Sequence, residues 1–133
     1  MTDFWTSKKI LVVEDNPGTL GELVKIYEEM GLQVIEAVES AQKALELLKS
    51  LTPDFISLDI IMPEMDGIEC YKKIKELEIK ARVFFVSALC SDARVINAYS
   101  NEIGENCFLA KPLTGESMRK YLNKIHSDET MSH

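Results

Sequence analysis

The chain alternates short apolar runs with longer amphipathic segments, and this alternation constrains its fold more than any other feature. Five runs are rich in β-branched and other apolar residues, and each is short enough to be a strand buried on both faces of a sheet. They span residues 10–13, 32–37, 55–58, 83–86 and 107–110. A parallel sheet covered by helices is the arrangement that buries such strands.

The segments between these runs carry apolar residues at helical spacing, and each opens on a residue that favours a helix start. The predicted first residues or caps are Asn16 (before Pro17), Ser40, Asp66 (with Glu69 three residues later), Ser91 or Asp92, and Thr114. Gly31 is predicted to end the first helix, and the fourth is predicted to end near Gly104.

Five strands alternating with five helices through short loops predict an α/β domain with a doubly wound parallel sheet, built by right-handed crossovers. We expect a single domain over residues 1–133, with its core at about residues 8–126 and loose ends at residues 1–7 and 127–133. The common strand order for such a flavodoxin-like (βα)5 sheet is 2-1-3-4-5, which makes strands one and three neighbours.

Composition restricts the partners and the cellular compartment. The formal net charge of −7 repels a phosphate backbone, so we expect no direct nucleic-acid partner. No stretch approaches the roughly 18 apolar residues of a spanning helix, so we expect no membrane insertion. Cys70, Cys90 and Cys107 form no even disulfide set or close pair, and they predict reduced thiols in a cytoplasmic protein.

Charged and polar residues follow four of the five predicted strands. Glu14 and Asp15 follow the first, Asp59 the third, Ser87 the fourth, and Lys111 the fifth. The carboxyl ends of parallel strands form the binding edge of such a sheet, so these side chains are expected to converge. Each alone is better explained as a turn, cap or surface residue, but five at one edge favour a functional site.

The three predicted neighbouring carboxylates, Glu14, Asp15 and Asp59, would repel one another at this edge. A hard divalent cation relieves that repulsion, and Mg²⁺ prefers oxygen ligands together with a substrate phosphate. Lys111 would then face an incoming phosphoryl oxygen. The pattern therefore predicts a magnesium-dependent phosphoryl site.

Four motifs make the chain similar to the response-regulator receiver domains of two-component signal transduction, of the stand-alone, CheY-like type. "LVVEDN" resembles the acidic pair of that family, and "LDIIMPEMDG" resembles its phosphoacceptor loop. "VSA" resembles its hydroxyl-bearing strand, and "FLAKPL" its lysine–proline strand. The resemblance covers about residues 8–126.

This resemblance implies that Asp59 is phosphorylated and that Mg²⁺ is held by Glu14, Asp15, Asp59 and the backbone carbonyl of Ile61. Carboxylates that attack phosphorus form acyl phosphates, so the protein would catalyse only its own phosphorylation and dephosphorylation. The donor would be a histidine kinase or a histidine phosphotransfer protein, and the output would be binding to a downstream effector protein.

The resemblance assigns further roles at the ends of the fourth and fifth strands. Ser87 would hydrogen-bond the phosphoryl group, Lys111 would pair with it, and Phe108 would rotate inward when the hydroxyl moves. A cis peptide bond is implied between Lys111 and Pro112. The switching surface would comprise the fourth helix, the fifth strand and the fifth helix, roughly residues 91–125.

Two apolar residues, Ile61 and Leu89, occupy the positions that flank the attacking water in the family. Neither can orient water by hydrogen bonding, so the sequence predicts slow self-dephosphorylation. The alternative is that both side chains only pack.

Other functions remain as alternatives. A phosphatase with an aspartyl nucleophile typically has a second carboxylate two residues after the nucleophile, where this chain has Ile61. An interaction domain that is never phosphorylated would not need all five edge residues. A flavin-binding protein of the same fold would have a loop rich in Ser, Thr and Gly after the first strand, where "VEDNPGTLG" offers acids.

Overall fold

The structure, a computed structural model, describes residues 3–103 and 108–131. Its strands form one parallel sheet in the order β2-β1-β3-β4-β5, which confirms the predicted doubly wound α/β fold. No helix in the described ranges combines the length and apolar character needed to cross a bilayer. The elements are β1 (Lys9–Val13), α1 (Pro17–Glu29), β2 (Gln33–Val38), α2 (Ala41–Leu47), β3 (Phe55–Leu58), α3 (Gly67–Glu76), β4 (Arg82–Ser87), a 3₁₀ turn (Ala88–Ser91), α4 (Ala93–Ile103), β5 (Phe108–Ala110) and α5 (Gly115–Met131).

The two edge strands depart from the expectation that every strand is buried on both faces. β1, β3 and β4 are buried along nearly their whole length, whereas β2 and β5 are largely half-buried or exposed. An edge strand has a neighbour on one side only, so more of its surface stays in contact with water. β2 also begins one residue later than predicted, at Gln33, and the predicted positions of Gly104 and Cys107 lie outside the described residues.

The helix starts agree with the capping residues predicted from the sequence. Four caps accept a backbone N–H of the first turn at 2.9–3.1 Å: Asn16, Ser40, Asp66 and Thr114. For α4 the structure selects Asp92 over Ser91, because the Asp92 carbonyl accepts the N–H groups of Val95 and Ile96. Gly31 follows α1 with φ 94°, a conformation that glycine adopts without strain.

Two hydrophobic cores lie on opposite faces of the sheet, because successive strand residues point to opposite sides. One core joins the strands to α2 and α3, and the other joins them to α1 and α5. Ser57 is a polar residue in the middle of β3, and its hydroxyl lies 2.7 Å from the hydroxyl of Tyr27 in α1. This hydrogen bond compensates the burial of both groups.

The N-terminal segment, residues 3–7, is packed against the domain and not loose as predicted. Trp5 is 1% exposed, and its indole N–H donates to the carbonyl of Met30 at 3.0 Å. The Phe4 ring stacks on His126 of α5 with a centroid distance of 4.5 Å. Burial of two aromatic rings offsets the entropy cost of ordering this segment. At the other end α5 continues to Met131, so residues 127–131 are helical rather than loose.

The cysteines provide a test of this packing. Burial raises the pKa of Cys70 to about 12 and also raises the pKa of Cys90. In a Cys107→Ser variant at pH 8, we expect Ellman's reagent to modify both thiols about a hundredfold more slowly than in guanidinium, because the reactive thiolate is scarce in the fold. Equal rates in the folded and unfolded protein would contradict the buried positions.

Candidate functional site

The carboxyl ends of four strands bring the predicted site residues to one edge of the sheet. Backbone pairing continues just past the strands: Asp59 N–H donates to the carbonyl of Val13 at 3.2 Å, and Lys111 N–H donates to the carbonyl of Ser87, also at 3.2 Å. These bonds fix where each side chain leaves the sheet. The charged residues therefore stand on ordered backbone rather than on free loops.

Glu14, Asp15 and Asp59 form a compact cluster of carboxyl groups. One oxygen from each lies within 4.8 Å of the other two. Glu14 is 1% exposed and Asp59 is 6% exposed, while Asp15 is half-buried. The crowding predicted from the strand order is therefore present, and buried carboxylates in this arrangement require positive charge nearby.

Lys111 supplies that charge. Its Nζ donates to Glu14 Oε1 at 2.5 Å and to Asp59 Oδ2 at 3.0 Å. Burial by itself lowers the pKa of Lys111, but the hydrogen bonds to Glu14 and Asp59 outweigh burial and raise the pKa above its usual value. The ammonium group therefore stays charged and bridges the ends of β1 and β3.

Glu14 is the most buried acid of the cluster. Burial raises its pKa, and this effect is opposed by the hydrogen bonds from Lys111 and from the backbone N–H of Asn16 at 3.1 Å. The second carboxylate oxygen of Glu14 is thus held by the residue that caps α1. The acid is fixed in position from two sides.

The loop that carries Asp59 is held by a close contact with the start of α3. Gly67 N–H donates to the carbonyl of Ile60 at 2.8 Å, and a Cβ at Gly67 would lie 2.1 Å from the carbonyl oxygen of Asp59. Only glycine allows that approach. Ile61 N–H donates to Asp59 Oδ1 at 3.3 Å, while the Ile61 side chain is 57% exposed.

The hydroxyl and aromatic residues lie at the ends of β4 and β5. Ser87 is fully buried, and its Oγ accepts the N–H of Leu89 at 3.3 Å, which starts the 3₁₀ turn. Phe108 is half-buried and stacks on Phe85 at 5.4 Å between ring centroids. The peptide bond between Lys111 and Pro112 is cis.

The carboxyl cluster has the donor set that suits Mg²⁺. Its ligands would all be oxygens, and two or three carboxylates leave coordination positions for water and for a phosphate. Glu14, Asp15 and Asp59 are the described residues that meet this requirement. The contribution of the Ile61 carbonyl, the hydroxyl contact from Ser87 and the rotation of Phe108 stay predictions.

A family model described as the response regulator receiver domain matches residues 10–123. The chain belongs to this family. As a receiver domain, it is 33% identical to the chemotaxis protein CheY of Bacillus subtilis over 87% of this chain and 95% of that protein. It is 32% identical to the chemotaxis protein CheY of Thermotoga maritima, over 89% of this chain and 97% of that protein.

One similar solved structure supports the fold, and it is a complex that contains Mg²⁺. It is the CheX–CheY–BeF3–Mg²⁺ complex from Borrelia burgdorferi, which matches with a TM-score of 0.73 at 26% identity, over 91% of this receiver domain and 90% of that chain. Receiver domains bind Mg²⁺ at an acidic pocket, and Glu14, Asp15 and Asp59 of this chain are positioned together.

Sequence reasoning did not find the contact of Gly67 with the Asp59 backbone. A glycine next to a predicted helix cap was the available signal, but the partner became visible only in the fold. We expect Gly67→Ala to destabilise the domain by about 3 kcal/mol in urea denaturation, since a buried backbone contact cannot relax cheaply.

Gly21→Ala is the matched control for this substitution. A Cβ at Gly21 meets nothing within 4 Å, and Gly21 lies inside α1. This change should stabilise the protein by about 0.5–1 kcal/mol, because alanine favours the helix. If the two variants change the free energy of unfolding by similar amounts, the close contact between Gly67 and the Asp59 loop is contradicted.

Proposed function

We propose that this receiver domain accepts a phosphoryl group on Asp59 in the presence of Mg²⁺ and thereby changes its affinity for another protein. The observation that carries the proposal is the buried cluster of Glu14, Asp15 and Asp59 with the Lys111 ammonium between Glu14 and Asp59. The domain would act as a single receiver unit with its core at about residues 8–126. Its family membership supports this assignment.

The transfer would use a carboxylate oxygen of Asp59 as the nucleophile. This oxygen attacks the phosphorus of a phosphohistidine, an oxygen–phosphorus bond forms, and the phosphorus–nitrogen bond to the imidazole breaks. The other ring nitrogen of the phosphohistidine carries a proton in this step, so the imidazole leaves with the electron pair of that bond as a neutral group. Phosphoryl transfer depends mainly on positioning and on neutralising charge, which is what the cluster and Lys111 provide.

Four residues would act on the incoming phosphoryl group and its surroundings. Lys111 already donates to Asp59 and would donate to a phosphoryl oxygen while it keeps its hydrogen bond to Glu14. The Ser87 hydroxyl, now bonded to the Leu89 N–H, would turn towards the phosphoryl group. Glu14 and Asp15 would hold Mg²⁺, which when bound neutralises phosphoryl oxygens as a Lewis acid.

Movement of Ser87 would pass to Phe108, which lies on the neighbouring strand two residues before Ala110, the register partner of Ser87. Phe108 is half-buried against Phe85, so an inward rotation would remove the rest of its ring from water. The result would be a shift between two conformations of the surface formed by α4, β5 and α5. That surface would bind the effector protein, as the Borrelia burgdorferi CheY occurs in a complex with CheX.

Labelling with acetyl phosphate tests the proposed phosphoacceptor. With Mg²⁺ we expect the intact mass to rise by one phosphoryl group, and hydroxylamine should remove it, because hydroxylamine cleaves acyl phosphates. Asp59→Asn should abolish this increase in mass, and so should EDTA.

Asp54→Asn is the matched control, because Asp54 is an exposed acid just before the same strand. This variant should be labelled like the wild type. Equal labelling of Asp59→Asn would refute the assignment.

The lifetime of the phosphoryl group would depend on how water reaches Asp59. Ile61 is exposed and Leu89 is half-buried, and neither side chain can donate or accept a hydrogen bond. Their apolar character supports a long-lived phosphorylated state. Since water must be oriented for in-line attack on phosphorus, polar groups at these positions would accelerate hydrolysis.

We expect Ile61→Asn with Leu89→Gln to raise the rate of dephosphorylation by about tenfold or more, measured by the decay of the phosphorylated mass after removal of the donor. Leu77→Gln is the control, because Leu77 is 51% exposed and lies at the opposite end of α3. If the double variant decays at the wild-type rate, Ile61 and Leu89 do not control hydrolysis and their side chains only pack.

A further inference from the structure

A cavity of about 510 Å³ lies at the N-terminal edge of the sheet, the edge opposite the carboxylate cluster. Its walls come from the N-terminal segment, from residues at the starts of β3 and β4, and from the end of α3 with the loop that follows. The volume is in the range of about 300–1,000 Å³ that small-molecule sites occupy. Neither the proposed phosphorylation nor its switching surface uses this cavity.

The charged residues that line the cavity are mostly cationic. They are Lys8, Lys75, Lys80 and Arg82, against one carboxylate, Asp54. That carboxylate is already engaged, because its Oδ2 accepts the backbone N–H of Lys9 at 2.8 Å. In a chain with a formal net charge of −7, this surface is a local region of positive potential.

Complementing a helix dipole accounts for only one of these cations. Lys75 lies in the last turn of α3, where positive charge is favourable, and its Nζ is 5.5 Å from the centroid of the Tyr71 ring. Lys8 precedes β1, Lys80 lies in the loop after α3, and Arg82 begins β4, so none of them is at a helix end. The dipole of α3 therefore does not explain why Lys8 and Lys80 both lie at this cavity.

The floor of the cavity is apolar. Its accessible apolar surface comes from the half-buried residues Phe4, Tyr71 and Ile79. Phe55, Ile74 and Val83 also line the cavity but are almost wholly buried. A bare inorganic ion would leave this apolar surface uncovered. The cavity therefore suits a ligand that has an anionic group and an organic part.

We propose that this cavity binds a small organic phosphate, of which a nucleoside monophosphate is a simple representative. A phosphate concentrates two negative charges on one group and presents oxygens in several directions, so it accepts hydrogen bonds from ammonium and guanidinium groups at once. The organic part covers the floor. Such a ligand would contact the edge of the domain farthest from Asp59, so binding would be independent of phosphorylation.

Isothermal titration calorimetry with the full chain tests this site, using AMP, inorganic phosphate and adenosine as probes. EDTA in the buffer removes divalent cations that could bridge a phosphate to the carboxylate cluster. We expect AMP to bind with one-to-one stoichiometry, about tenfold more tightly than inorganic phosphate because the ring covers apolar surface. Adenosine, which lacks the phosphate, should give no measurable binding.

Variants separate a specific site from general electrostatic attraction. Lys75→Gln with Lys80→Gln should raise the Kd of AMP by about tenfold, since two charge-assisted contacts are lost. Lys25→Gln with Lys43→Gln removes the same charge from exposed positions outside the cavity and should leave the Kd unchanged. Both variants should still be labelled by acetyl phosphate, which shows that they are folded.

Three results would overturn the proposal. They are no heat of binding with AMP, binding of inorganic phosphate as tight as that of AMP, and an equal loss of affinity in the two lysine variants. The second result would identify a site for anions alone, and the third would identify an effect of net charge.

Discussion

The attraction between the Lys111 ammonium and the carboxylates of Glu14 and Asp59 is the interaction on which the rest of the site depends. It joins residues that are 97 and 52 positions apart in the chain, and it holds two buried acids at the ends of neighbouring strands. Without the cation these acids would be uncompensated charges in a poorly solvated place, which is strongly destabilising. The same contact that stabilises the sheet edge thus assembles the chemical site.

The fold keeps these charged residues together against their mutual repulsion. The two hydrophobic cores fix the strands from both faces, so their carboxyl ends cannot move apart to relieve repulsion. The close approach of Gly67 to the Asp59 backbone fixes the loop in the same way. The folded frame therefore holds Glu14, Asp15 and Asp59 close together despite their like charges.

The sequence was sufficient for the strands and the helix caps, because these follow from local periodicity. The crowding of Glu14, Asp15 and Asp59 followed once the common strand order of such sheets was assumed. The sequence was insufficient for the packing of Trp5 against Met30 and for the contact of Gly67 with Asp59. Both depend on pairs of segments that meet only in the assembled fold. The basic cavity was missed for the same reason, since Lys8 and Lys80 are distant in the chain.

The buried position of Trp5 has a practical consequence. It is the one tryptophan of the sequence, and it contacts the carbonyl of Met30, the Phe4 ring and, at 5.5 Å, the guanidinium of Arg119. Its fluorescence emission therefore reports on whether the chain start, the end of α1 and α5 are assembled together. The protein carries an optical probe of its own tertiary structure that requires no dye and lies away from Asp59.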